Sequence, residues 1–234
     1  MSVQNGIRRI VFGKKGTSQS YIDYLRQKGV WIGEGTTFFS PHQSFVDVQY
    51  PWMIEIGENV QITAGVRILT HDYSWSVTKK KYGPVLGLAG EVHIGNNVFI
   101  GTQSILLPGT YIGDDVIIGA GSVVKGRIPS QCVAVGNLCH KVMDLETYYQ
   151  KCREKQIQSA KLLAQSYYRH THQIPPEEVF HEYFFLFKEQ STLTNKNRQK
   201  MKLTGNYEKT LDVFKRWNRP YFDFEEFIKD ALKK

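Results

Sequence analysis

A branched aliphatic residue returns every six positions through the middle of this chain, and that period limits the fold more than any other feature. Ile94, Ile100, Leu106, Ile112, Ile118 and Val124 stand in unbroken register. Glycine follows four of them, at Gly95, Gly101, Gly113 and Gly119. Four positions after the first five comes a small or β-branched residue: Val98, Ser104, Thr110, Val116 and Ser122. The pattern is already present at Ile56-Gly57 with Val60, at Ile62 with Val66, and at Ile68, while Ile32-Gly33 with Thr36 lies 24 residues before Ile56. With aliphatics at roughly a quarter of positions, six in register arise by chance about once in several thousand trials. A period of six matches neither a 3.6-residue helix nor strand alternation. It matches a solenoid of very short strands, each hexad forming one side of a triangular coil and each aliphatic stacking on its equivalent one coil away. The small residue also faces inward, where the triangle narrows. Glycine and the polar pairs Asn96-Asn97 and Asp114-Asp115 suit corners that call for positive φ.

The repeat does not run the whole length of the 234 residues. Of 20 glycines, 19 lie before residue 145, whereas 16 of the 30 Phe, Trp and Tyr lie after it. Three regions are expected: a helical cap over residues 1–29, a coil over 30–143 with an external loop at about 72–91, and a helical region over 144–234. Ser18 to Lys28 reads as a short helix with Ser18 as N-cap and Gly29 as stop, its Tyr21, Ile22, Tyr24 and Leu25 closing the first coil. A helix is expected from Leu145 to about His170, with Pro175-Pro176 ending it and Glu177-Glu178 beginning another. Asp223 with Glu226 resembles a capping box before Phe227 and Leu232. No apolar run reaches the ~18–20 residues of a membrane-spanning helix. Met1 to Lys15 shows no apolar stretch ahead of a small-residue cleavage site, so no secretory signal is expected. Three cysteines, Cys132, Cys139 and Cys152, are an odd number without C-x-x-C spacing, which fits unpaired thiols in a reducing cytoplasm.

The hexads, together with Leu69-Thr70-His71-Asp72, Leu107-Pro108-Gly109, Ile118-Gly119-Ala120-Gly121-Ser122, Ile128-Pro129 and Gly136-Asn137, resemble the hexapeptide-repeat acyltransferases, above all the galactoside, maltose and cell-surface polysaccharide O-acetyltransferases. The resemblance covers residues 30 to 143. It implies a left-handed parallel β-helix, a mainly β protein, and a cytoplasmic homotrimer that moves an acetyl group from acetyl-CoA to a saccharide without a metal. It also implies a catalytic histidine just before the external loop, which here is His71. An alcohol is a poor nucleophile until it loses its proton, and a histidine, with a reference pKa of ~6.5, suits that removal. Asp72 is a candidate to orient the ring, although adjacency argues against a direct bond. His42 and Asp47, in the irregular stretch from Phe38 to Tyr50, are candidates for the acceptor pocket. For the donor, the resemblance implies Gly101, Thr102, Gly119, Ala120 and Lys125; Lys125, Arg127, His140 and Lys141 cluster in sequence near the end of the coil and could meet phosphates. Phe99, Lys125-Gly126-Arg127 and Leu138-Cys139-His140 depart from the family's usual residues at the adenine end.

Other readings stay open. Acetylation of an amino sugar or antibiotic nitrogen would use the same base. A hexapeptide-repeat carbonic anhydrase would need three histidines converging on zinc, and His42, His71 and His93 lack that spacing. Net charge is +8, of which +5 follows Leu145, where 17 basic residues face 12 acidic ones. A non-catalytic coil that binds polyanions through this basic, aromatic tail is the rival from another class. No nucleic-acid motif accompanies the charge, and contact with a membrane surface is a third role open to the tail.

Overall fold

A computed structural model describes residues 11–233. Met1–Ile10, the first part of the expected cap and of the stretch read for a leader, lie outside the described residues. The chain divides into two compact units, residues 1–148 and 149–234.

In the first unit each hexad forms a very short strand. These are β1 (Trp31–Ile32), β2 (Thr37–Phe38), β3 (Phe45–Val46), β4 (Ile54–Ile56), β5 (Gln61–Ile62), β6 (Arg67–Ile68), β7 (Val92–Ile94), β8 (Phe99–Ile100), β9 (Ile105–Ile112), β10 (Val116–Ile118), β11 (Val123–Ile128), β12 (Cys132–Val135) and β13 (His140–Asp144). Parallel pairing joins strands of successive turns rather than neighbours in sequence. One face runs β1-β4-β7 and on to the C-terminal half of β9, with Ile32, Ile56, Ile94 and Ile112 in register. A second runs β2-β5-β8-β10-β12, and a third β3-β6-β9-β11. Ile94 and Ile112, 18 residues apart, are stacked, so three hexads make one turn. The strand β13 pairs antiparallel with β12 and ends the stack.

All six aliphatics from Ile94 to Val124 are completely buried, as are Ile56, Ile62 and Ile68, and the small residues from Val98 to Ser122 are buried beside them. Ser104 and Ser122 satisfy their buried hydroxyls on the Gly101 and Gly119 carbonyls, and Thr110 does so on those of Leu107 and Val124. The corner reading needs a division of labour. Positive φ falls on Asn97 (53°) and Asp115 (58°), the second members of the polar pairs. The glycines that follow the aliphatics serve close approach instead. A Cβ on Gly57 would lie 2.4 Å from the carbonyl oxygen of Gly95, and one on Gly95 2.7 Å from the carbonyl carbon of Gly113. Gly57→Ala should therefore cost about 1–3 kcal/mol and lower the melting temperature by roughly 3–10 °C. Gly87→Ala, where nothing lies within 4 Å, is the control for thermal unfolding followed by circular dichroism and should shift it little.

The helix α1 (Ser18–Lys28) buries Tyr21, Ile22 and Leu25 in the same core as the first strands, with Tyr24 partly buried, and stops at Gly29 (φ 105°). Its N-cap is Thr17 and not Ser18, since Thr17 exchanges hydrogen bonds with Ser20; the Ser18 hydroxyl instead accepts from the Phe38 N–H. Within the external loop lies a helix absent from the sequence reading, α2 (Trp75–Tyr82). A bridge between His71 and Ala89 and a bond from the Gly90 N–H to the Thr70 carbonyl close the excursion.

The second unit is helical. α3 (Leu145–Thr171) begins in the first unit and continues into the second. The segment from Glu177, expected as a helix, is three single 3-10 turns before α4 (Asn195–Lys202), α5 (Tyr207–Arg216) and α6 (Phe224–Ala231). Phe180 meets Phe187, Phe224 and Phe227 ring to ring. Asp223 caps α6 by accepting from the Glu226 N–H, but the Glu226 carboxylate accepts from Phe222, so the box is only half formed. Buried Phe180, Phe184, Phe187 and Phe227 offer no open face for stacking. Taken whole, the chain is mixed rather than mainly β, because its helices hold more residues than its strands. No helix among the described residues is long and apolar enough to cross a membrane.

Candidate active site

His71 stands just beyond β6, where the third face gives way to the external loop. One turn below it on that face, Asp47 stands just beyond β3. Parallel pairing of Val46 with Ile68 carries the two residues together. His71 Nδ1 lies 2.6 Å from Asp47 Oδ2. That oxygen also accepts the Thr70 hydroxyl and, at 3.1 Å, the Thr70 N–H, while Oδ1 accepts the Gln49 N–H at 3.0 Å. Burial by itself would raise the Asp47 carboxyl, which is only 5% exposed; the bonds from the Thr70 hydroxyl, the Gln49 and Thr70 amides and His71 outweigh it and hold the group below the usual carboxylate range. An ionised carboxylate can only accept, so the proton of the ring sits on Nδ1 and the lone pair of Nε2 is left for another partner.

The orienting carboxylate is thus Asp47 and not Asp72. Asp72 Oδ1 accepts from both the hydroxyl and the N–H of Ser74, which hold its carboxyl low and spend it on the local turn. The His42 ring stacks on Phe12 at 4.7 Å. Tyr50 and Tyr73, neither singled out from sequence, both meet the His71 ring edge-on, at 5.3 and 5.7 Å.

The residues proposed for the donor do not gather at one point. The Gly101 and Gly119 amides are engaged in coil hydrogen bonds to Ile118 and Ala134, and a Cβ at Gly101 would lie 2.4 Å from the Ala120 nitrogen, so both glycines serve coil packing. Thr102 and Ala120 are exposed at one corner on adjacent turns. Arg127 lies over the Tyr111 ring on another face, His140 bonds the Leu138 carbonyl, and Lys141 pairs with Asp144. Lys125 lies close enough to Asp72 for its charge to act there. His93 pairs with Glu55 at 3.0 Å and stacks on Tyr111. Among the described residues no three His, Cys, Asp or Glu side chains are grouped so as to hold a metal. A cavity of about 600 Å³ belongs to the helical unit; Cys152 lines it, but none of the candidate catalytic, acceptor or donor residues does.

Residues 91–126 match the family model of the bacterial transferase hexapeptide, six repeats. A Staphylococcus aureus protein named CapG is 40% identical over 140 residues, which cover 60% of this chain and 80% of CapG. The chain belongs to the bacterial hexapeptide-repeat transferases. For this family a left-handed β-helix is the implied form of the coil. The galactoside O-acetyltransferase of Escherichia coli K12 is 34% identical over 94 residues, 40% of this chain and 45% of that one. Among solved structures, a maltose O-acetyltransferase from Clostridium difficile 630 shares 29% identity, with a TM-score of 0.41, over 60% of this chain and 83% of its own. A galactoside acetyltransferase solved with coenzyme A shares 22% identity, with a TM-score of 0.45, over 62% and 84%. This hexapeptide-repeat protein is an acetyl-transferring enzyme, in keeping with its relatives.

Proposed function

We propose that the protein transfers an acetyl group from acetyl-CoA to a sugar hydroxyl, with His71 as general base. The observation that carries this reading is the Asp47–His71 pair, in which a buried, ionised carboxylate fixes the ring and frees Nε2. In this reaction Nε2 accepts the hydroxyl proton as the oxygen attacks the thioester carbonyl carbon. The new C–O bond gives a tetrahedral oxyanion held by a backbone amide of the coil, and the C–S bond then breaks. The imidazolium returns its proton to the departing thiolate, so the enzyme ends as it began. Transfer is direct. Burial pushes the Cys132 and Cys139 thiols up, which suits neither to carry the acetyl group.

The donor lies along the coil in a homotrimer, past Thr102 and Ala120; Lys125 is the candidate for its phosphates, while Arg127, His140 and Lys141 are engaged with Tyr111, Leu138 and Asp144. The acetylated sugar belongs to a surface polysaccharide or lipopolysaccharide, as the resemblance to that group suggests. The test is coenzyme A release over a panel of sugars, nucleotide sugars and amino sugars. Release with hydroxyl acceptors is expected. Release with aminated acceptors alone would replace the reading by N-acetylation, and none with any saccharide would overturn it.

A further inference from the structure

His71 is the middle of a row of aromatic rings. On one side the His71 ring meets Tyr50 at 5.3 Å, and Tyr50 meets Trp52 at 5.7 Å. On the other it meets Tyr73 at 5.7 Å, and Tyr73 meets Trp75 at 5.7 Å. Among the described residues no ring contact joins the two arms except through His71 itself. The rings meet at 40° to 75°, so no pair in the row is stacked face to face. Trp52 is 73% exposed and Tyr73 63%.

A single exposed aromatic residue on a surface needs no explanation, but a continuous row leading to the proposed base on both sides does. Neither arm is part of the hydrophobic core. Neither is needed to orient the histidine, because Asp47, itself held by Thr70, already does that.

We infer that the acceptor is a glycan chain, acetylated on an internal sugar that has neighbours on both sides of it. This rests on the proposed reading of His71 as the base. The axial C–H bonds of a pyranose make one of its faces apolar, and that face stacks on an aromatic ring while the hydroxyls at the rim stay in water. Successive rings in the row stand at a spacing comparable with that of neighbouring sugars in a chain. A free monosaccharide would reach only the rings beside His71. A nucleotide sugar could stack its base on one arm and would leave the other empty. Only an acceptor extending both ways from the reacting hydroxyl uses both.

The experiment compares kcat/KM for coenzyme A release with a monosaccharide, the matching tetrasaccharide, and the nucleotide-linked monosaccharide, all built from the sugar that the panel identifies. For the wild type the tetrasaccharide should exceed the monosaccharide by tenfold or more, mainly through a lower KM. In Trp52→Ala, and separately in Trp75→Ala, this ratio should fall at least threefold. Circular dichroism spectra and melting temperatures show whether each variant is folded; if one is not, Trp52→Leu or Trp75→Leu takes its place. Equal kcat/KM for the two lengths overturns the inference while leaving the acetyl-transfer reading intact. So does a nucleotide sugar that matches the tetrasaccharide, which would point to base stacking, or a length ratio that neither tryptophan changes. No transfer to any saccharide removes both.

Discussion

His71→Ala should lower kcat for acetyl transfer by about 10²–10⁴-fold, the usual worth of a positioned general base, and leave the affinity for coenzyme A close to that of the wild type. Neither carboxylate beside the ring can take over. Asp47 is ionised but engaged by Thr70, Gln49 and His71, and Asp72 is held by Ser74. Tyr50 and Tyr73 meet the ring only by edge-on ring contacts. The loss should appear in kcat with the best acceptor found by the release assay, measured under saturating donor. Titration calorimetry with coenzyme A separates lost chemistry from lost binding. Turnover within a few-fold of the wild type would sink the assignment of the base. Loss of coenzyme A binding along with turnover would mean that the substitution disturbs the coil, and His71→Gln, which keeps a polar side chain of similar size, then decides.

The coil was legible because a solenoid repeats the same constraint in every turn. A residue such as Ile100 must fill the space between Ile62 below and Ile118 above, so its identity is written into the six-residue period. The helical unit has no such repetition. Its core is made once, from Phe180, Leu186, Phe187 and Phe227 brought together by turns between them, and sequence spacing carries little trace of it. For the same reason the segment after Glu177 reads as helix although it forms 3-10 turns, and α2 reads as loop. Lys79, Lys80 and Lys81 form helix readily, but no apolar face of α2 is buried to betray it. The site was legible in part. His71 stood out by resemblance, and adjacency drew attention to Asp72, which lies along the chain and not across it. The signal that identifies Asp47 was available. On this face Val46 pairs with Ile68, 22 residues on, so Asp47 stands level with Leu69, two positions before His71. In a coil, neighbours across turns are found by adding the length of a turn. Because the irregular segment from Phe39 to Ser44 breaks the hexads between β2 and β3, that arithmetic was not obvious there.

Asp47→Asn separates the two carboxylates. An asparagine keeps the shape, and with its oxygen still accepting from the Gln49 N–H its amide N–H takes the place of Oδ2 and faces His71 Nδ1, at the expense of the bonds from Thr70. Donation from that side makes Nδ1 the acceptor and moves the ring proton to Nε2, where it blocks removal of the hydroxyl proton. The expected loss in kcat is about 10²–10⁴-fold, approaching that of His71→Ala, and the double variant should be no worse than the more damaging single one because the pair acts as a unit. Asp72→Asn, which disturbs only the turn at Ser74, should stay within a few-fold of the wild type. Stability gives an independent readout with a defined sign. The folded-state pKa of Asp47 lies below its unfolded value, so its contribution is complete above the unfolded carboxylate pKa of ~3.9 and is lost as the pH falls through the lower folded value. The gap in melting temperature between the wild type and Asp47→Asn should accordingly be widest near neutrality and close in strong acid. A gap that stays constant down to that range would mean that Asp47 is not ionised in the fold. The proton would then sit on the carboxyl, and the tautomer that leaves Nε2 free would lose its cause.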